Sequence, residues 1–162
     1  MVRSHLEYAN AVWSPYKQKY IEKVEKVQKR ATKLLSSNKG LKYEDRLKKL
    51  NLPTLVYRRH RGDMIETYKI IHGIYNVYCT LHLLLSHNAL TRGHRFKLFH
   101  LHVHYDSRKY FFVNRIISLW NNLPDYVVTA DTVNSFKSRL DKHWVAQECK
   151  FKWKAIMPET GQ

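Results

Sequence analysis

Two cysteines, five glycines and four prolines in 162 residues leave several kinds of function without their material. Cys79 and Cys149 stand far apart and in no CxxC pair, so neither a disulfide framework nor a zinc knuckle is expected. Five glycines spell no GxGxxG or Walker loop, so no phosphate cradle is expected; GxSxG and HExxH are also absent. Acidic residues are scarce, thirteen in all. The aspartates (Asp45, Asp63, Asp106, Asp125, Asp131 and Asp141) are scattered singly, and no Asp-Asp pair is present to hold two Mg²⁺ ions for nucleotidyl transfer. No cofactor is expected. Long hydrophobic runs are missing too. The longest apolar patch, Tyr78 to Leu85, is interrupted by Thr80 and His82 and falls well short of the ~20 residues of a membrane span. Arg3 and Glu7 break the N-terminal segment as a secretory signal. The expectation is a soluble chain, placed in nucleus or cytoplasm, with no membrane partner and no small-molecule substrate.

What the chain does have is positive charge on a globular composition. Twenty-nine Lys and Arg oppose thirteen Asp and Glu, a net charge of +16, while 44% of residues are hydrophobic. A disordered basic tail lacks such apolar content. The combination describes a folded domain whose surface repels copies of itself and attracts polyanions.

Periodicity predicts a mostly α, helical bundle-like single domain with a small β component. Leu6, Ala9 and Trp13 recur at helix spacing before Ser14-Pro15. From Tyr16 to Leu35, the residues Tyr20, Val24, Val27, Ala31 and Leu34 step by four, three, four and three and form one apolar stripe. A short helix follows with Tyr43, Leu47 and Leu50 on one face. Pro53 then opens a longer helix carrying Leu55, Met64, Ile65, Tyr68, Ile71 and Ile74, with Gly62 and Gly73 inside the pattern. Residues 1–76 therefore read as one helical region and 77–98 as a loop region. Residues 99–148 read as a strand plus two helices packing on the first half. Phe99, Leu101, Val103 and Tyr105 alternate with His100, His102 and His104, the period of a strand. Tyr110 to Trp120 and a segment capped by Asp131 or Thr132, with Val133, Phe136, Leu140 and Trp144 inward, supply the helices. Residues 149–162 are expected to fray. Trp13, Tyr20, Tyr68, Trp120 and Phe136 are the expected aromatic core.

The charge has its own pattern. Lys19, Lys23, Lys26, Arg30 and Lys33 repeat the spacing of the apolar stripe one residue out of phase, in a band about 80° wide beside it. Glu22 and Glu25 lie at i,i+4 from Lys26 and Lys29; the other cations of the row have no such downstream acid. Arg58, Arg59 and Arg61 form a second cluster, in which Arg59 is placed to pair with Asp63. Arg92 and Arg95, with Lys97, Arg108 and Lys109, form a third. Such rows suit the phosphates of a nucleic acid. A solvated helix face is the plain alternative. The histidines at 100, 102 and 104 share a strand face and could offer imidazoles to a metal, but no carboxylate or cysteine stands beside them to complete a site. No metal ligand set is expected. Arg61-Gly62-Asp63 spells an adhesion tripeptide inside a helical pattern, where chance accounts for it.

An ordered set of short stretches carries a resemblance. Val2-Arg3-Ser4-His5-Leu6-Glu7-Tyr8-Ala9 runs into Val12-Trp13-Ser14-Pro15. Glu25-Lys26-Val27-Gln28-Lys29-Arg30-Ala31-Thr32 and Tyr43-Glu44-Asp45-Arg46-Leu47 follow, then Arg58-Arg59, Arg61-Gly62-Asp63 and Tyr68-Lys69-Ile70. Thr91-Arg92-Gly93-His94, Phe111-Phe112 with Arg115, Trp120-Asn121, Leu123-Pro124, Ser135-Phe136-Lys137 and Leu140-Asp141 complete it. Over residues 2–144 the chain resembles the region downstream of the reverse-transcriptase palm in non-LTR (LINE-type) retrotransposons of the jockey-like and chicken-repeat groups. The resemblance implies the thumb-proximal, C-terminal part of an RNA-directed DNA polymerase. The family's catalytic motif (Tyr or Phe, then Ala-Asp-Asp) lies upstream of the matched region, and here Ala130-Asp131 is followed by Thr132. It therefore implies no catalysis by this chain. It implies instead a grip on RNA or an RNA–DNA hybrid, agreeing with the basic rows, and the polymerase domains of a parent element as partners. Two rivals stand beside it: an interaction module packing on those missing domains, marked by an exposed apolar patch, and a non-functional transposon relic.

Overall fold

The computed structural model describes residues 6–35, 40–75, 83–86, 94–100, 102–145 and 147–155. Helices dominate: α1 (Gln18–Leu34), α2 (Tyr43–Lys49), α3 (Leu55–Ile71), α4 (Asp106–Lys109), α5 (Phe112–Asn121), α6 (Asp125–Val128) and α7 (Val133–His143), with a 3₁₀ turn at Glu148–Lys150. The chain divides into two compact units. The first holds residues up to Arg61 and returns for Gln147–Met157; the second begins at Gly62 and runs to Ala146. The mostly α reading of the periodicity is correct.

In the first unit, local sequence sets the helix ends. Asn51 takes a left-handed φ of 47° after α2. Its N–H donates to Lys48 O at 3.0 Å, and Leu52 N–H reaches back to Leu47 O at 2.9 Å, the two bonds of a Schellman stop. Thr54 caps α3: its hydroxyl oxygen accepts from Tyr57 N–H at 3.1 Å and donates to Cys149 O at 2.6 Å. Thr54 N–H donates to Lys150 O at 2.9 Å. Cys149 is buried, and burial pushes its thiol up to about 11. The expected fraying therefore does not begin at Cys149, because this backbone closes the start of α3; residues 156–162 lie outside the described set.

α3 ends earlier than its sequence pattern suggests, at Ile71, with Gly73 and Ile74 beyond it as its stop. Gly73, at φ 63°, donates to Ile70 O at 3.2 Å, and Ile74 N–H to Lys69 O at 3.0 Å, a second Schellman stop in which a Cβ would strain the left-handed backbone. Within the second unit, Met64 and Tyr68 of α3, Phe112, Ile116 and Trp120 of α5, Val127 and Val128 of α6, and Phe136 and Leu140 of α7 are fully or almost fully buried. Tyr68 stacks on Phe136 with centroids 4.4 Å apart, and its hydroxyl donates to Ala130 O at 2.6 Å. Trp120 Nε1 donates to Phe96 O at 2.8 Å. Thr132 caps α7 by accepting from Ser135 N–H at 3.1 Å.

Two expected elements are replaced. Leu6 and Glu7 are helical, but Trp13 and Val12 N–H both turn back onto Ala9 O, with Ala9 at φ 50°, so the helix expected to run on to Trp13 gives way to a turn before Pro15. The strand expected over 99–105 is absent among the described residues. Antiparallel pairing is limited to the bridge Leu85–Leu98, with Ser86 N–H on Lys97 O and Phe99 N–H on Leu84 O. The Asn121 side chain takes both backbone groups of Leu98, at 2.8 and 2.9 Å. Phe99, His100, His102, His104 and Tyr105 are exposed and Val103 is half-buried. A period of two marks faces; it does not supply a partner strand. Cys79 and Arg92, and most of the expected loop region, lie outside the described residues.

Candidate nucleic-acid interface

The orientation of α1 is set by polar groups. Its buried side chains are Glu25, Gln28 and Thr32, with Ile21 half-buried in the same phase. Tyr43 donates its hydroxyl to Glu25 Oε1 at 2.5 Å, and Leu55 N–H donates to Oε2 at 3.1 Å. The carboxylate thus caps the first turn of α3 from another helix, where the N–H groups lack partners and the helix dipole favours an anion. Burial raises the Glu25 pKa; the Tyr43 and Leu55 hydrogen bonds and the Arg59 charge hold the rise back. Tyr43 is raised as well, by burial first and then by the hydrogen bond and charge of Glu25. Gln28 Nε2 donates to Pro53 O at 3.1 Å. The Arg46 guanidinium, buried beneath α1, donates to Leu41 O at 2.8 Å. Glu25 therefore does not pair with Lys29 as its spacing suggests, because it points inward.

This docking turns Lys19, Lys23, Lys26, Arg30 and Lys33 to solvent. From first to last the row covers about 21 Å at 1.5 Å per residue. Lys26 pairs with Glu22 at 3.4 Å, the i,i+4 pair legible in the sequence. Lys19, Lys23, Arg30 and Lys33 meet no carboxylate among the described residues. Such charges are placed to meet phosphates, and each contact releases counterions.

The same docking exposes the apolar stripe. Tyr20 is 51% exposed, Val27 38% and Leu34 86%. Trp13 is also exposed, with its indole N–H on Tyr8 O. These two aromatics are not core residues as their sequence spacing suggests. Tyr68, Trp120 and Phe136 are.

The second cluster is engaged differently. Arg58 makes an ion pair with Glu7, and both side chains are partly shielded. Arg59 is buried, and its charge acts on Glu25. Arg61 is half-buried with contacts of its own. Asp63 receives Arg115 in a two-pronged contact, Nε to Oδ2 and Nη2 to Oδ1, both 3.0 Å. Asp63 is 2% exposed, so the Arg61-Gly62-Asp63 tripeptide is helical and closed to a receptor. Arg58 and Arg59 thus serve the interior of their unit before any ligand.

In the second unit Arg95 is exposed, its guanidinium 4.8 Å from the Phe96 ring centroid. Arg108 and Lys109 are exposed as well. The rings of His102 and His104 meet edge-on at 4.9 Å. Among the described residues no group of three His, Cys, Asp or Glu side chains is placed to hold a metal ion. His94 is buried edge-on against Trp120, with Nε2 3.1 Å from Trp120 O, and burial lowers its pKa. No helix among the described residues is long and apolar enough to cross a membrane.

Sequence reasoning missed Glu25 as a cap and Arg115 as the partner of Asp63. The signal for Glu25 was present, since Ile21, Glu25, Gln28 and Thr32 repeat at helix spacing, but polar residues at that spacing read as a solvated face. No known protein family, characterised protein or solved structure matches this chain.

Proposed function

We propose that this chain is a C-terminal, post-palm segment of a LINE-type reverse transcriptase, without its own catalysis, that holds RNA or an RNA–DNA hybrid through the basic face of α1. The observation that carries the reading is the solvent-facing row from Lys19 to Lys33, held outward by the buried Glu25 contacts. A row of cations spaced along one exposed helix face suits successive phosphates, and contacts to phosphates carry no sequence information, so binding is tolerant of sequence. Arg95 adds a further exposed cation; Arg58, Arg59 and Arg61 support the fold of their unit more than the ligand.

The test is fluorescence anisotropy of the full chain against single-stranded RNA, duplex DNA and an RNA–DNA hybrid, titrated from low to physiological salt. The expected result is a preference for an RNA-containing ligand, with affinity falling linearly in log–log salt. Removing Lys23 or Arg30 should lower the slope by about 0.7–0.9 each. Negligible binding at physiological salt would leave the charge a solubilising feature. The exposed stripe beside the row supports a second reading, an interaction module that packs on another protein.

A further inference from the structure

α1 exposes the residues its sequence marks for burial. Tyr20, Val24, Val27, Ala31 and Leu34 lie on one line, and of these only Val24 is half-covered, the other four being exposed. The helix cannot roll to bury them. Turning the stripe inward would withdraw Glu25 from Tyr43 and Leu55, and Gln28 from Pro53, leaving the α3 N-terminus and a buried carbonyl without partners. The polar contacts hold the apolar line outward.

Its geometry fits one kind of occupant. Steps of four and three average 3.5 residues, the period of a seam between two helices. Four of the five side chains are aliphatic, suited to knobs-into-holes packing; a nucleobase needs an aromatic face, and Tyr20 alone supplies one. The flank of the seam turned away from the protein carries Lys19, Lys23, Lys26, Arg30 and Lys33, so the complementary flank of the occupant is acidic. A second copy of this chain would bring five more cations and a net charge of +16 to the contact. We infer that α1 is a docking seam for an amphipathic helix of another protein, apolar along one line and acidic beside it. The inference gives the second reading above a site and a partner chemistry; it stands or falls apart from nucleic-acid binding.

The probe is a designed helical peptide of about 21 residues with Leu at a and d and Glu at the flanking positions. Its controls are a scrambled peptide of the same composition and a version with Lys flanks. With the full chain, the acidic heptad peptide should bind at least about ten-fold tighter than either control. The pair Val27→Glu and Leu34→Glu should abolish that binding with an unchanged melting temperature, and Lys23→Glu with Arg30→Glu should weaken it. Should glutamate lower the melting temperature, Val27→Ser with Leu34→Ser makes the same test. Equal binding of the scrambled peptide would overturn the proposal, since charge alone would then suffice. An unaffected seam variant would overturn it as well. So would single-stranded RNA that loses as much affinity as the peptide in the seam variant, or self-association of the wild type that the seam variant abolishes. Loss of RNA binding with peptide binding intact would sink the nucleic-acid reading alone.

Discussion

α7 and α1 are both amphipathic, and they dock by opposite logic. In α7, Phe136 and Leu140, followed at the same spacing by Trp144, go inside, while Lys137, Arg139 and Asp141 are half-buried and Lys142 is exposed, as hydrophobic burial requires. In α1 the apolar line from Tyr20 to Leu34 stays outside, and Glu25, Gln28 and Thr32 are buried in its place. The difference lies in what each helix meets. α7 belongs to a unit whose described core is almost wholly apolar. α1 meets the open N-terminus of α3, the Tyr43 hydroxyl and the Pro53 carbonyl, groups that must find polar partners once buried. A helix face is chosen by the surface waiting for it, and period alone leaves that choice open.

The largest effect should come from the apolar side of this comparison. Phe136→Ala should cost about 3–5 kcal/mol in chemical denaturation, whereas Val27→Ala, in the exposed stripe, should stay within about 0.5 kcal/mol. Equal costs would break the contrast by placing Val27 in a core. Next comes the buried two-contact pair of Asp63 and Arg115 in the second unit. Asp63→Ala leaves the Arg115 guanidinium, 14% exposed, without its carboxylate, and a loss of about 3 kcal/mol is expected in the same assay.

The smallest effect sharpens the polar side. Because burial raises the Glu25 pKa in the folded chain, the unfolded chain releases that proton first as pH rises. Stability contributed by the protonated carboxyl is therefore present below the ordinary glutamate range and is lost as pH climbs through the raised folded value. Glu25→Gln retains an acceptor for Tyr43 and Leu55 N–H without the charge. Thermal melts from pH 4 to 8 should show wild type losing stability relative to this variant as pH increases. A difference that grows in the opposite direction would mean that hydrogen bonding outweighs burial at the site.

Much of the fold was legible. Thr132 at the start of α7 and Asn122-Leu123-Pro124 after α5 act through their own backbone neighbours, so they can be read without a structure. The exposed cations of α1 were legible for the same reason: the row shares a phase, and lysines rarely go inside. The burial of Arg59 and the pairing of Asp63 with Arg115 were not. Arg115 stands 52 positions from Asp63, and their meeting depends on how α3 and α5 come together. The strand expected at 99–105 failed likewise, because alternation is local and a pairing partner is not.

The sequence by itself determined the longer helices, the Thr132 cap, the net charge of +16 and the five-cation row. Each follows from backbone propensity, capping or simple counting, which act within one or two turns. Tertiary structure alone decided which face of α1 is inside. The buried Tyr43 hydroxyl, Leu55 N–H and Pro53 carbonyl needed partners more than the apolar line needed cover, so Glu25 and Gln28 went in and the seam stayed out.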